Sequence, residues 1–485
     1  MAARPLDTAA AHPPRYRPWG RAMPKWRNGR RGGLKIRWPL GREGSIPSFG
    51  TEAAWRSPRA LALLALAALF GPAAAVDAAL AAPTTDSALQ GDLPADDERR
   101  LHFDADLRIR SAIGRHIEDS LGSLTGTGKS AAGTSFRFRL GADFDIEHVG
   151  ARIELQSSHD FGGSSPTDQP PTIGLQQGYL HLTSRPSIGL RLDAGRMRLD
   201  YGSGRHIGGY DFHGTGHAYD GARLRWSVRD RLAIDALAVR LRRDDAQPDR
   251  QRSLIGVYAT AQPTGSLLGD LYLLVLDDGA QGGRLRLQTM GVRLDWRPWG
   301  IARLETEVAG QIGSRDGRDP TEQSHFGWMG VLRLGVQLGD AIPVAGGLLA
   351  EHWSGDRDPD DGIDSAWRPL YGNLDELTGL LQLFAPTNLQ TLGVWAMVGD
   401  PKRWSHRLDA RLMSRLAAPG ISSGPMPRGW RGVGGEVDVR SQWAVARALT
   451  LGGSGGLFLP SHDSGQADAP QNLAFAILVE LRGRF

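Results

Sequence analysis

From residue 100 onward the chain runs in segments of about ten residues that alternate apolar and polar side chains, the period of a β-strand with two unlike faces. Leu101, Phe103, Ala105, Leu107 and Ile109 are set against His102, Asp104, Asp106, Arg108 and Arg110. Phe136, Phe138, Leu140, Ala142, Phe144 and Ile146 are set against Arg137, Arg139, Asp143, Asp145 and Glu147. The stretch 301–308 follows the same rule. One face of each ribbon is therefore greasy and the other charged. A tilted strand of this length spans a bilayer. Closing such strands into a barrel gives lipid to the greasy face and an enclosed bore to the charged one.

Gaps between segments alternate in length. Short ones fall at 148–150, 185–186, 229–230, 263–265, 297–300 and 444–447. Long ones cover 113–132, 160–172, 199–219, 314–325, 355–373, 400–430 and 460–470, with 244–250 and 279–283 in the same series. Short periplasmic turns opposite longer outer loops are the habit of outer-membrane barrels. If the last strand, 471–485, runs toward the periplasm, then 447–459 runs outward and 431–443 inward. The strand at 388–399 then runs outward, and 400–430 becomes one outer loop despite the alternation of Arg407 to Leu416. The count is eighteen strands, even as single-chain bacterial barrels require. The expected fold is all-β: a single transmembrane antiparallel barrel over 101–485. The final alternating strand ends on Phe485 and resembles the signal read by the barrel assembly machinery. A soluble sandwich or propeller is the competing all-β fold, but sandwiches rarely hold so many strands, and no internal repeat of the kind a propeller needs is present.

Composition agrees with a barrel. The chain is 40% hydrophobic with a mean hydropathy of −0.31 and no cysteine. Low hydropathy is normal when only alternate residues meet lipid, and the missing cysteines rule out disulfides and thiolate chemistry. Arg56 and Arg59 precede an apolar run, 60–70, and a small-residue stretch, 73–82, the layout of a signal peptide over 56–82 with cleavage after Ala75 or Ala81. The run is too short for a spanning helix. Ahead of it, 1–55 is either a disordered basic extension or a stretch upstream of the true start. Residues 83–100 form a short periplasmic lead-in, too short for the plug of an energy-coupled receptor. Eleven Lys/Arg in 1–50 face only Asp7 and Glu43, so the net +4 of the whole chain leaves 51–485 at −5. A nucleic-acid partner is not expected of an acidic folded part; the bacterial outer membrane, with its lipid and lipopolysaccharide, is.

The stretch from Gly195 through Arg196, Tyr201, Gly202, Gly204, Arg205 and Asp211 to Thr215, Gly216, Asp220, Gly221 and Arg223 resembles the signature of the alginate-export family of outer-membrane porins. In that family a Gly-Arg-Gln strand end precedes a Tyr-Gly-x-Gly-Arg loop, an Asp-Trp, a Thr-Gly-Arg and a Phe-Asp-Gly-x-Arg strand start. This chain departs at Met197, Phe212, His217 and Tyr219. Weaker matches lie at 434–438 and 369–373. The resemblance implies export of an anionic exopolysaccharide such as alginate, with periplasmic export proteins as partners. Read from the residues alone, the glycine-rich loop either folds tightly or re-enters the barrel, and Asp220 and Arg223 are placed to tie it to the wall.

With apolar positions facing lipid, the bore receives Arg108, Arg110, Arg137, Arg139, Arg152, Arg191, Arg196, Arg223, Arg225, Arg303 and Arg440. Asp104, Asp143, Asp193, Glu305, Glu436 and Asp438 join them. Beyond the signal only Lys129 and Lys402 break the preference for arginine. Arginine forks grip carboxylates bidentately, and rings of them favour anions. The expected ligand is an anionic polysaccharide; uptake of a small anionic nutrient is the alternative. Such arginines also serve simply to satisfy buried carboxylates. His206, His213 and His217 share a loop with Asp211 and Asp220, yet they match no metalloprotease spacing, and Ser203 sits in no nucleophile elbow. Neither catalysis, a metal nor a cofactor is expected; a surface adhesin is the third class considered.

Overall fold

The protein is described here from a computed structural model, over residues 100–115, 130–161, 172–229, 231–241, 251–280, 283–317, 323–339, 342–358, 361–400, 402–415, 431–461 and 472–485. The basic extension, the signal peptide and all but Arg100 of the lead-in lie outside them.

Nineteen strands follow in order: β1 (Arg100–Arg115), β2 (Ser130–Ile146), β3 (Val149–Phe161), β4 (Thr172–Thr183), β5 (Leu190–Met197), β6 (Tyr219–Val228), β7 (Leu232–Leu241), β8 (Gln251–Thr264), β9 (Leu267–Ala280), β10 (Gly283–Trp296), β11 (Ala302–Gly317), β12 (Gln323–Leu338), β13 (Val344–Trp353), β14 (Ile363–Asp364), β15 (Leu389–Asp400), β16 (Trp404–Arg415), β17 (Arg431–Ala446), β18 (Leu449–Pro460) and β19 (Ala474–Arg484). All but β14 pair antiparallel with their chain neighbours around a ring. β1 meets β19 in register from Asp106 opposite Arg484 to Arg115 opposite Phe475, which closes it. Phe485 extends the seam by exchanging backbone hydrogen bonds with Ala105, at 2.9 and 3.0 Å. β14 is a two-residue strand in the 354–388 connection and pairs parallel with β12. The result is a closed eighteen-strand barrel with no unpaired edge in the ring.

The alternation sorts the faces as expected. On β2, Leu140 is 46% exposed on the outside while Arg137 and Arg139, on the inside, are 1% and 3% exposed. The same pleat turns Glu305 and Glu307 of β11 inward and Val308 outward. Short turns gather at one end of the ring, for example 147–148, 265–266 and 447–448, and the longer connections at the other.

Two boundaries differ from expectation, and they compensate in the count. Residues 404–415 are not part of an outer loop: they form β16, paired along both β15 and β17, so β15 runs the opposite way to that expected. The connection expected to end at 373 continues to Asn388 and holds a single-turn helix, α1 (Leu374–Leu377). Its apolar residues have a use inside the barrel. Leu380, Leu381 and Phe384 are buried with Phe458, Trp367 and Ile207 in a cluster within the ring.

An arginine placed at Met290, which is 48% exposed on the outer face of β10, is expected to cost about 2–4 kcal/mol if the belt meets hydrocarbon, since a cation at the midplane must be desolvated. Folding into liposomes followed against urea measures it; an unchanged midpoint contradicts a lipid-facing belt.

Candidate functional site

The connection between β5 and β6, 198–218, turns into the bore. Its glycines make the bend possible. Gly202 and Gly204 have φ of +58° and +70°, values that residues with a Cβ adopt only under strain. The Gly204 N–H bonds Tyr201 O at 2.9 Å, and the Tyr201 N–H bonds Ile207 O at 3.1 Å. Arg205 is thereby driven into the wall, where Nη1 lies 3.0 Å from Glu305 and 2.6 Å from Glu307 of β11. His206 stands beside it, its Nε2 2.7 Å from the Tyr272 hydroxyl and 3.1 Å from Glu307.

Six residues on, the loop carries the opposite charge to the other side. Asp211 Oδ1 lies 2.7 Å from Arg139 and 3.1 Å from Arg137, both on β2, and Oδ2 lies 2.8 Å from Arg482 on β19. The neighbouring carbonyls are gripped as well. Arg108 donates to Asp211 O at 2.5 Å and to His213 O at 3.1 Å, and Arg110 donates to Phe212 O at 2.7 Å. β11 and β19 stand on nearly opposite sides of the ring, so the loop is strung across the bore between an acidic wall and a basic one. Burial alone would raise the Asp211 carboxyl, but Arg137, Arg482 and Arg139 outweigh it and hold it well below the usual carboxylate range. Burial lowers both His213 and His217.

The 354–388 connection folds in beside it. Tyr371 exchanges backbone bonds with the first loop, donating to His206 O at 2.8 Å and accepting from Gly208 at 2.9 Å. Asn373 donates its N–H to Gly204 O at 2.9 Å, and its side chain accepts from Tyr210 N at 2.8 Å. On the far wall the Leu380 and Leu381 N–H groups donate to Asp438 and Glu436 of β17, at 3.0 and 3.1 Å. The two connections form one partition.

The expected bore residues divide accordingly. Arg108, Arg137 and Arg139, with Arg110, hold the loop. Arg440 holds the second connection, donating to Asp375 O at 2.9 Å. Arg152 pairs with Asp104, Asp143 and Glu154, Arg191 and Arg223 with Asp193, Arg225 with Asp235, and Arg303 with Asp295. Arg196 is a correction. Asp193 and Met197 of β5 are buried inside the ring, so Arg196 shares the outer face with the exposed Leu190 and Leu192, and it pairs there with Asp220 at 2.6 Å. Asp220 and Arg223 consequently do not tie the loop; Arg205 and Asp211 do. Of the other motif residues, Tyr201 is buried against Tyr258, ring centroids 4.6 Å apart, and Gly221 pairs with Gly195 across β5 and β6. The histidines point to different neighbours: His206 to Tyr272, and His213 and His217 to Tyr210. Arg482 and Glu307 were not among the expected site residues, although both lie on inward positions of alternating strands; Asn373 falls in the weaker family match at 369–373.

A closed ring with outward apolar residues and a charged bore crossed by inward loops defines a porin-type transmembrane β-barrel. Solved outer-membrane porins share the fold. OccK9 (OpdG) of Pseudomonas aeruginosa aligns with a TM-score of 0.53 at 12% identity, over 79% of this chain and 98% of that one. OccAB4 of Acinetobacter baumannii gives 0.52 at 12%, over 79% and 98%. The outer membrane protein OprD of Pseudomonas aeruginosa gives 0.50 at 10%, over 79% and 93%. Residues 99–460 match the alginate export family, and the chain belongs to that family. No curated protein matches it by sequence.

Replacing Arg205 by Ala leaves Glu307 buried without its arginine, while Glu305 keeps Arg293 at 3.3 Å, and is expected to weaken loop docking by about 3–5 kcal/mol. A cysteine at Ile207, fully buried while the loop is docked, should then react with a thiol reagent markedly faster; an unchanged rate contradicts the clamp. The acid side has a signed pH dependence. A depressed carboxyl contributes docking energy that is complete above its unfolded value and lost as pH falls through its folded one. Labelling of Ile207→Cys, corrected for reagent chemistry, should therefore stay flat down to about pH 4, the ordinary carboxylate range.

Proposed function

We propose that this protein is an outer-membrane channel that passes an anionic polysaccharide, in the export direction, and that it is not an enzyme. The observation that carries this is the occupant of the arginine cage. Arg137, Arg139 and Arg482 close on a carboxylate at the basic wall of the bore, and that carboxylate is the protein's own Asp211. A cage that fits one carboxylate fits another of the same planar geometry. A uronate entering the bore competes for the cage, frees the loop and passes on, because many weak sites in series permit movement where one tight site would trap. Most other bore arginines already face wall carboxylates, which keeps their affinity for a solute low. The family supports polymer export; the alternating faces support insertion by the barrel assembly machinery into a membrane rich in lipopolysaccharide. Periplasmic export proteins are the partners this reading needs, and it calls for no nucleic acid, metal or cofactor.

Planar-bilayer recording tests it. The wild-type channel should favour anions and be blocked by an oligouronate. Gln at both Arg139 and Arg482 should weaken that block at least about tenfold, because a hydrogen bond to a charged group is worth about 1.5–3 kcal/mol. A cation preference, or block indifferent to the substitutions, contradicts the proposal.

A further inference from the structure

We propose that Trp395 and Arg407 form a subsite for one pyranose ring of the passing polymer. The inference rests on the polysaccharide reading above and adds a contact to the ring itself, which charge alone does not provide.

Trp395 occupies an inward position of β15. It pairs with Gly347 on β13 and with Asp409 on β16, and Gly347 pairs in turn with Gly335 on β12. The wall beside the indole therefore lacks side chains over two strands. A Cβ added at Gly335 would stand 2.8 Å from the indole Cζ2 and 3.3 Å from Cη2, so the glycine provides the room in which the ring lies. Trp353 and Trp367, also inside the barrel, are fully buried in the apolar cluster, whereas Trp395 stays partly exposed. An aromatic ring kept wet has forgone part of the burial that normally makes it worth having.

Arg407 supplies the second element. Its Cζ lies 5.3 Å from the Trp395 ring centroid, and Asp409 fixes the guanidinium through two 2.8 Å bonds. Even so, 42% of the side chain remains exposed. Asp409 is in register with Asp438, the residue that receives the Leu380 N–H, so the pair sits level with the partition. A pyranose presents a face of C–H bonds that suits the negative face of an indole. A ring-borne carboxylate or hydroxyl then reaches the neighbouring guanidinium.

The test is residence-time analysis of single channels, using a hexameric uronate, a neutral hexasaccharide and succinate as blockers. Wild type is compared with Trp395→Ala and Trp395→Phe, each confirmed folded by heat-modifiable mobility. Trp395→Ala should shorten hexauronate residence about fivefold while succinate block moves less than about twofold, and Trp395→Phe should recover most of the loss, because the ring is what binds. Hexauronate residence unchanged in Trp395→Ala overturns the subsite. Trp395-dependent block by the neutral sugar equal to that by the uronate leaves the subsite standing and removes the anionic reading. Block by succinate but by neither sugar removes both.

Discussion

Everything inside this barrel hangs on one chain segment carrying two opposite charges to two opposite walls. Arg205 enters the acids of β11 and Asp211 enters the arginines of β2 and β19. Hydrophobic burial holds Ile207 between them, but it does not choose which wall each charge meets. The attraction is strong where it acts, since water is excluded and the effective dielectric is low. It is also specific in sign: exchanging the two charges would set each against its own kind. The second connection docks partly on the first, since Tyr371 and Asn373 take their backbone partners from 204–208, and partly on β17 through Leu380 and Leu381.

The same arrangement explains why the bore is not simply a sticky positive tube. Removing a charge from water is expensive unless a partner repays it, and the barrel supplies those partners strand by strand, as between Arg223 and Asp193 or Arg225 and Asp235. What remains unbalanced is concentrated where the loop lies. There Asp211 completes a site that the wall alone would leave with excess cation. Under the proposed function, opening the channel and binding an anion are one exchange, in which a visiting carboxylate takes over the contacts of a resident one. That is a population shift driven by differential affinity, and it needs no separate trigger.

The faces of the barrel were legible because a strand has only two of them. Alternation alone put Arg137, Arg139, Glu305 and Asp438 on the inside, and the strand count emerged from the spacing of turns. Arg196 was open to the same logic: with Arg191 and Asp193 inward, five residues of alternation leave 196 outward, and only its place in a motif suggested otherwise. The segment 374–388 resisted because apolar residues carry no label for which apolar environment they enter. Leu380 and Phe384 serve a cluster inside the ring, and ending the connection at 373 left β16 without a place in the count. Least legible were the partners. That Asp211 meets Arg482, far along the chain, follows from closure of β1 onto β19, which no local pattern encodes. The re-entry of the loop depended on positive φ at Gly202 and Gly204, which a sequence permits but does not compel.

The central claim is that the loop bridging the bore must leave its wall for a polymer to pass. Gly214 faces Ser158 of β3 closely enough that a Cβ there would stand 3.2 Å from the serine Oγ, within range of a disulfide between cysteines at the two positions. The chain has no cysteine of its own to interfere. With that bond oxidised, oligouronate flux through proteoliposomes should cease, and reduction should restore it. Equal flux in the oxidised and reduced forms would contradict the account.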